Sequence, residues 1–574
     1  MANAAYRGSK PSQLIDVEGR SLVGCADNRG WVERLSELLR CRRIAAGMKL
    51  LDDTKPFWES LQSIEGSDSD FLLMLAQWVD VGYRDAEFLR TMLDLLPQTA
   101  RIELGVGAYL RLRMAEAFYA LAVDDADAAI RILDIVLRLD SDLLNAELKT
   151  LAHLWKGRAH RKKADYEKAL EHIDAARDLA CTLPDSQALI AIIQIQQGWL
   201  LFQRGDSTGA LQMLAEAQEV LQHTDHWIAL GNIESARGRI IRRKGDYARA
   251  LQHFNRAVAL YENSHPNHPN LARAVTNLGF VKRLLALQLR RHIDGCAARR
   301  VANGSGVVPD GTRLRQFHKQ YQDLYRSAIA ELERAKQIYT LHAHHSGLAG
   351  ALLNAGYLHL DVGDLDLAAR EASEAYAIAE KTNSVVLKAR ARILSGLIEN
   401  AHVEELLGTP EDTPAYAGRA KEYCLEAISL AESTENKRLL LNAYLALGET
   451  AANNFFHDYD LAQRCVDAAS ALLAPDDADY VIDELNALKA KLLQTVGIQD
   501  TLRAWSEGII TGKTFQEVVE EFAQIVVPRV WLREERKISR VAKKLSMSPQ
   551  KVRRLVKRSG FSLGEPNLES SDLR

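Results

Sequence analysis

Four stretches of this sequence repeat one pattern at a spacing of about forty residues. "KGRAHRKKADYEKALEHIDAARDLA" begins at Lys156, "QGWLLFQRGDSTGALQMLAEAQEVL" at Gln197 and "RGRIIRRKGDYARALQHFNRAVALY" at Arg237. A further copy, "NAGYLHLDVGDLDLAAREASEAYAIAE", begins at Asn354. Each carries a glycine, a polar turn with Asp, then an alanine, a large apolar residue and a second alanine. The anchors are Gly157 with Ala169, Gly198 with Ala210, Gly238 with Ala250, and Gly356 with Ala368. Looser copies centre on Gly396 with Ala420 and Gly448 with Ala462, and an earlier one has Ala117 in the glycine position. Gly279 opens one whose second helix is displaced to Ala328, Leu332 and Ala335.

Such a period leaves few folds open. Apolar residues recur at helical spacing through most of the chain, and strand-like alternation is nearly absent. Two antiparallel helices approach closely only where small residues face each other, and the large apolar residue fills the gap beside them. "GDY" or "ADY" turns the chain, with Asp as the cap of the second helix. One pair cannot bury its own apolar face, so pairs must stack. The reading is an all-α, helical-hairpin solenoid over residues 101–475, with an N-terminal helical cap over 1–100 and a helical linker over 476–513. Residues 290–325, with a Gly/Val/Pro-rich centre and basic flanks, break one unit and read as an inserted loop: either disorder or a helix extension, or a partner contact.

The repeat resembles the tetratricopeptide repeat (TPR) family in its longer variety. That resemblance implies a concave groove that receives a protein or peptide ligand.

Charge separates the C-terminal part from this body. From Trp531 to Gly560 there are eleven Lys and Arg against two Asp and Glu, a net of +9. The whole chain carries −3, so the remainder carries −12. Such asymmetry points to a separate module with a polyanionic partner. In "ISRVAKKLSMSPQKVRRLVKRSG", residues 538–560, two short helices around a tight turn would bury Val541, Ala542, Leu545, Met547, Val552 and Leu555. Ser548 would cap the second helix, with Pro549 at its first position. Gln550, Lys551, Arg553, Arg554, Lys557 and Arg558 would be left outside. This is the helix-turn-helix layout, whose second helix enters the major groove. Arg540, Lys543, Lys544 and Lys557 would meet phosphates, and Gln550, Arg553 and Arg554 would read bases.

Thr514–Gly560 resembles the Fis-type DNA-binding domain, although Ser546 stands where that family carries Gly in the turn. The resemblance implies a domain over 514–563, followed by a disordered tail over 564–574, and a homodimer built on the helices before the motif. The expected function is a DNA-binding transcriptional regulator; the competing reading is an interaction scaffold whose basic tail docks an acidic partner without binding DNA.

Other signals carry less. "GIITGKT", residues 508–514, has three residues between its glycines where a phosphate loop needs four. The histidines of "HPNHP" (His265, His268) and "LHAHH" (His342, His344, His345) lack Cys or carboxylate partners at ligand spacing and read as surface residues, not a metal site. No nucleophile elbow, dinucleotide loop or HExxH is present, so neither catalysis nor a cofactor is expected. Six scattered cysteines without CxxC suggest reduced, mostly core thiols and a cytoplasmic setting. The sequence offers no membrane span.

Overall fold

The computed structural model describes residues 30–58, 69–139, 144–264, 268–302, 311–405, 412–492 and 537–558, with isolated positions between 519 and 534. No strand occurs among them. Helices α1 (Gly30–Arg40), α2 (Ile44–Trp58), α3 (Ser69–Asp80), α4 (Ala86–Asp94) and α5 (Gln98–Ile102) precede the array. Their apolar faces close around Leu35, Leu51, Leu72, Leu75 and Trp78.

Hairpin pairs follow: α6 (Val106–Ala122) with α7 (Ala126–Arg138), α8 (Ala146–Lys162) with α9 (Tyr166–Ala180), and α10 (Gln187–Gln203) with α11 (Ser207–Leu221). Next come α12 (Trp227–Arg243) with α13 (Tyr247–Ser264), and α14 (Pro269–Ala302) with α15 (Gly311–Leu341). The last are α16 (His345–Val362) with α17 (Leu365–Lys381), α18 (Val385–Glu405) with α19 (Thr413–Glu432), and α20 (Lys437–Ala451) with α21 (Tyr459–Ala471).

The repeated residues build each pair in the same way. A Cβ on Gly157 would lie 2.7 Å from the Ile173 side chain and 3.0 Å from the Ala169 carbonyl oxygen, so only glycine lets α8 and α9 meet at that point. Gly238, Gly279, Gly356, Gly396 and Gly448 sit in similarly tight places, a Cβ lying 2.7–2.9 Å from Phe254, Leu332, Leu394, Cys424 and Leu488, while Gly198 is looser, 3.1 Å from the Ala210 carbonyl oxygen and 3.3 Å from Leu214. Ala169, Ala210, Ala250, Ala328, Ala368, Ala420 and Ala462 are fully buried.

The turn works by a left-handed residue followed by an aspartate cap. Gly205, Gly245 and Gly363 take φ of 94°, 80° and 82°, and Asp124 and Ala164 do the same at a steric cost. The carboxylates of Asp125, Asp206, Asp364 and Asp458 then accept from the backbone N–H three residues on. Asp165 departs from this and instead meets His160 Nδ1 at 3.0 Å.

Two stretches outside the regular pairs take helical form. Residues 290–302 and 311–325 take the helix-extension form of the expected insertion: α14 and α15 run to 34 and 31 residues where α12, α13 and α16 have 17 or 18. Only 303–310 of the expected loop lie outside the described residues. The expected linker begins with a helix, α22, over 480–492. Its Val481, Leu485, Leu488 and Leu492 recur at helical spacing and pack on Leu441, Leu445, Val466 and Ala469, closing the apolar end of the last pair.

The array winds far enough for distant turns to touch. Glu435 N–H donates to the Ala164 carbonyl at 3.2 Å, and Glu167 N–H donates to the Glu435 carboxylate at 2.8 Å. Ala478 N–H donates to the Arg243 carbonyl at 3.0 Å, beside an Arg243–Asp477 ion pair. Asp225, between α11 and α12, accepts from Ile44 and Ala45 N–H and ties the N-terminal helices to the array.

Candidate ligand-binding lumen and C-terminal helical pair

The first helices of the pairs face inward and enclose a cavity of about 1400 Å³. α8, α10, α12, α14, α16, α18, α20 and α22 all contribute to its wall. Arg161, Trp199, Arg239 and Arg273 stand at one part of it, and Glu449, Tyr480 and Glu484 at another. Along α14, Arg273 and Arg283 are ten residues apart, about 15 Å at the helical rise.

Some of its charges are paired. Arg283 donates twice to Asp361, at 2.5 and 2.9 Å, and its guanidinium lies 4.9 Å from the Tyr357 ring centroid. Arg438 pairs with Asp477 at 3.2 Å and with Asp479. Arg161, Arg239 and Arg273 form no ion pair among the described residues. Burial, together with the neighbouring Arg273, Arg158 and Arg239, pushes Arg161 down to about 9. Burial and the neighbours Arg273 and Arg242 push Arg239 down to about 10. Arg161 rests instead on the face of Trp199, 5.0 Å from the ring centroid. Glu484 shows the opposite imbalance: burial, reinforced by Glu449, raises its carboxyl to about 8.

Carboxamides recur at one register. Asn277 and Asn354 stand two residues before the packing glycines Gly279 and Gly356, and both line the lumen. Each donates one N–H to its own helix four residues back, Asn277 to the Arg273 carbonyl at 2.8 Å and Asn354 to the Gly350 carbonyl at 2.7 Å. The remaining N–H and the oxygen of each have no protein partner among the described residues. Asn442 adds a buried carboxamide oxygen without a partner. Sequence reasoning assigned the packing glycines but passed over these lumen residues; the signal was a carboxamide two residues before Gly198, Gly279 and Gly356, where the other copies carry Trp155, Ala236, Leu394 and Ala446.

A second cavity, of about 530 Å³, lies between the N-terminal helices and the inner ends of α8, α10 and α12. It shares Arg161, Trp199, Arg239 and Arg273 with the lumen and adds Arg42, Gln196 and His226.

His345 is exposed as read, but His268, His342 and His344 are half-buried. His344 caps α16, accepting from Gly347 N–H at 3.0 Å, and lines the lumen; burial pushes it down to about 4. His268 Nδ1 accepts from Asn270 N–H at 3.1 Å, while His265 lies outside the described residues. No group of three His, Cys, Asp or Glu that could hold a metal occurs among the described residues. Of the four cysteines whose burial is described, Cys424 and Cys465 are buried and Cys41 and Cys181 are exposed. The "GIITGKT" segment lies outside the described residues.

At the C-terminal end, α23 (Ile538–Lys544) and α24 (Pro549–Arg558) join through a short turn in which Ser546 takes φ 51°. Val541, Ala542, Val552, Leu555 and Val556 bury together with Ala523, Val527 and Trp531. Leu545 and Met547 are half-buried beside them. The Ser548 hydroxyl accepts from Lys551 N–H at 3.2 Å. Arg540, Lys543, Gln550, Arg553, Arg554 and Lys557 are exposed. Lys551 is half-buried, and Lys544 pairs with Glu534 at 2.7 Å.

Residues 230–288 match the tetratricopeptide repeat family model. That stretch covers α12, α13 and the start of α14. The solenoid is TPR-like. No curated protein matches the chain. Among solved structures it is similar to a Rap protein complexed with competence and sporulation factor, at 10% identity and a TM-score of 0.41 over 76% of this chain and 98% of that one. It is also similar to aspartyl phosphate phosphatase F from Bacillus subtilis, at 15% identity and 0.39 over 79% and 97%. The apo quorum sensor NprR from B. thuringiensis aligns at 14% identity and 0.36 over 77% and 98%. No helix among the described residues of this TPR-like chain is long and apolar enough to cross a membrane.

Proposed function

We propose that the protein is an interaction scaffold whose TPR-like lumen takes up an extended peptide segment of a partner. The observation that carries this reading is the recurrence of the Asn277 and Asn354 carboxamides at one register on successive inner helices. An extended backbone presents donors and acceptors at a regular interval, and a carboxamide can donate to and accept from one peptide unit. The roughly 15 Å between Arg273 and Arg283 along α14 matches four or five extended residues. A peptide selected from a library against the full chain tests the reading. Asn354→Ala weakens a lumen-bound peptide about tenfold, as loss of a buried hydrogen-bond pair costs roughly 1.4 kcal/mol. Unchanged affinity rejects the lumen as its seat.

A second reading gives the chain a DNA-binding output, as a transcriptional regulator. Its support is the run of exposed cations on α24 above a buried apolar seam. In this reading Gln550, Arg553 and Arg554 meet bases, Arg540, Lys543 and Lys557 meet phosphates, and Lys544 must leave Glu534 to do so. The Fis-type affiliation and the homodimer rest on the sequence resemblance alone. A salt-dependent gel shift with duplex DNA separates this reading from a tail that docks an acidic protein.

A further inference from the structure

Arg161, Arg239 and Arg273 converge on the wall shared by the lumen and the smaller cavity of about 530 Å³, and that cavity adds Arg42. Arg42 sits between α1 and α2 with φ 52°, a left-handed conformation that a non-glycine residue adopts at a cost. The Nε atoms of Arg42, Arg161 and Arg239 are enclosed and find no acceptor among the described residues. His226, buried at 5% exposure, has an unpartnered Nδ1 against the same space.

The carboxylates that face the chamber are already engaged or distant in role. Asp80 accepts from Arg158 at 2.7 Å, Asp85 caps α4 through Phe88 N–H, and Glu147 lies in the first turn of α8. The chamber also has an apolar lining, with Phe118, Leu151, Leu154, Trp155, Ile192 and Ile195. Arg161 and Arg239 have no ion-pair partner among the described residues, and the one carboxylate beside Arg42 is Asp80, already held by Arg158. Guanidiniums placed so repel one another and lose hydration, a balance that an oxyanion reverses. The chamber's size falls in the range of small-ligand sites, roughly 300–1,000 Å³.

We propose that this chamber is a binding site for a small organic phosphate, one phosphoryl group on a ring-bearing body. The phosphoryl oxygens meet Arg42, Arg161 and Arg239, which donate in forks that fit phosphate. The ring lies on the apolar wall, and Gln196, whose carboxamide oxygen has no protein partner among the described residues, faces its polar edge. The site adjoins the peptide seat in the lumen and shares the wall of Arg161 and Arg239 with it, while Arg42 and His226 line the chamber alone.

The test is calorimetric titration and thermal melting of the full chain with adenosine monophosphate, guanosine monophosphate, adenosine and inorganic phosphate as probes. A nucleoside monophosphate binds and raises the melting temperature, adenosine does not, and inorganic phosphate binds at least tenfold more weakly. Arg42→Gln and Arg239→Gln each weaken the monophosphate at least tenfold, while Arg390→Gln, a lumen residue outside the chamber, leaves it unchanged. If Arg42→Gln fails to fold, Arg239→Gln alone decides. No binding of any probe at millimolar concentration overturns the proposal. So does binding that neither arginine variant alters, or binding of adenosine equal to that of its monophosphate.

Discussion

Single residues carry the packing of this protein, and the glycines show it best. Gly157 has no room for a methyl group against Ile173, whereas Gly418, exposed on α19, has nothing within 4 Å of the same position. Gly157→Ala lowers stability by about 1–3 kcal/mol through overpacking. Gly418→Ala raises it by about 0.5–1 kcal/mol through helix propensity. Urea melts of the two variants check both signs. The Glu484 carboxyl makes a pH-dependent contribution. Raised to about 8 by burial, it keeps its proton in the fold where the unfolded chain has lost it. Stability therefore falls as pH rises from the unfolded carboxyl range through about 8. Glu484→Gln removes that loss, so its advantage over the parent widens between pH 6 and 9, on the order of 1–2 kcal/mol. A gap that stays constant with pH contradicts this reading, in which Glu449, Arg283, Arg438 and Arg291 are the charges facing Glu484. The packing glycines were legible in sequence because their period is regular. The unpaired Arg161, Arg239 and Arg273 were not, since arginines on helices usually face solvent and only the winding of the array turns these inward.

Elements extend beyond what the repeat alone marks. α14 and α15 continue past the length of their neighbours because apolar positions continue, Ile293 among them at 7% exposure. The Gly/Val/Pro-rich centre drew attention away from that continuity. α22 falls within the expected helical linker, but its closing role was not legible: it has no repeat glycine of its own, only an apolar stripe that fits the end of the last pair. Truncation separates its role from that of the C-terminal region. A chain ending at 513 melts cooperatively near the parent temperature. One ending at 475 loses the cover over Leu441, Leu445 and Val466 and falls by several kcal/mol, at roughly 1.5–3 kcal/mol per buried aliphatic side chain. Equal melting of the two would mean that α22 does not close the array. On α24, Arg553→Ala and Arg554→Ala each weaken a selected duplex by roughly 1–3 kcal/mol with helix content unchanged, if that helix reads bases. Unchanged affinity in both assigns the exposed cations to another partner.

The whole molecule is a wound array whose distant turns touch through a few polar contacts, Glu435 with Ala164 and Glu167, and Ala478 with Arg243. Those contacts bring the inner helices round the lumen, which stays partly open to solvent. They are also few, so the lumen can open at modest cost when a segment enters. The most direct test places a photoreactive benzophenone side chain at Tyr357, on the lumen wall, and separately at Gln463, exposed on the outer helix α21. Each is irradiated with a library-selected peptide bound to the full chain. Cross-linking from 357, absent from 463 and abolished by excess unlabelled peptide, is the result predicted here. Cross-linking from 463 with none from 357 would place the ligand outside the lumen and contradict the account.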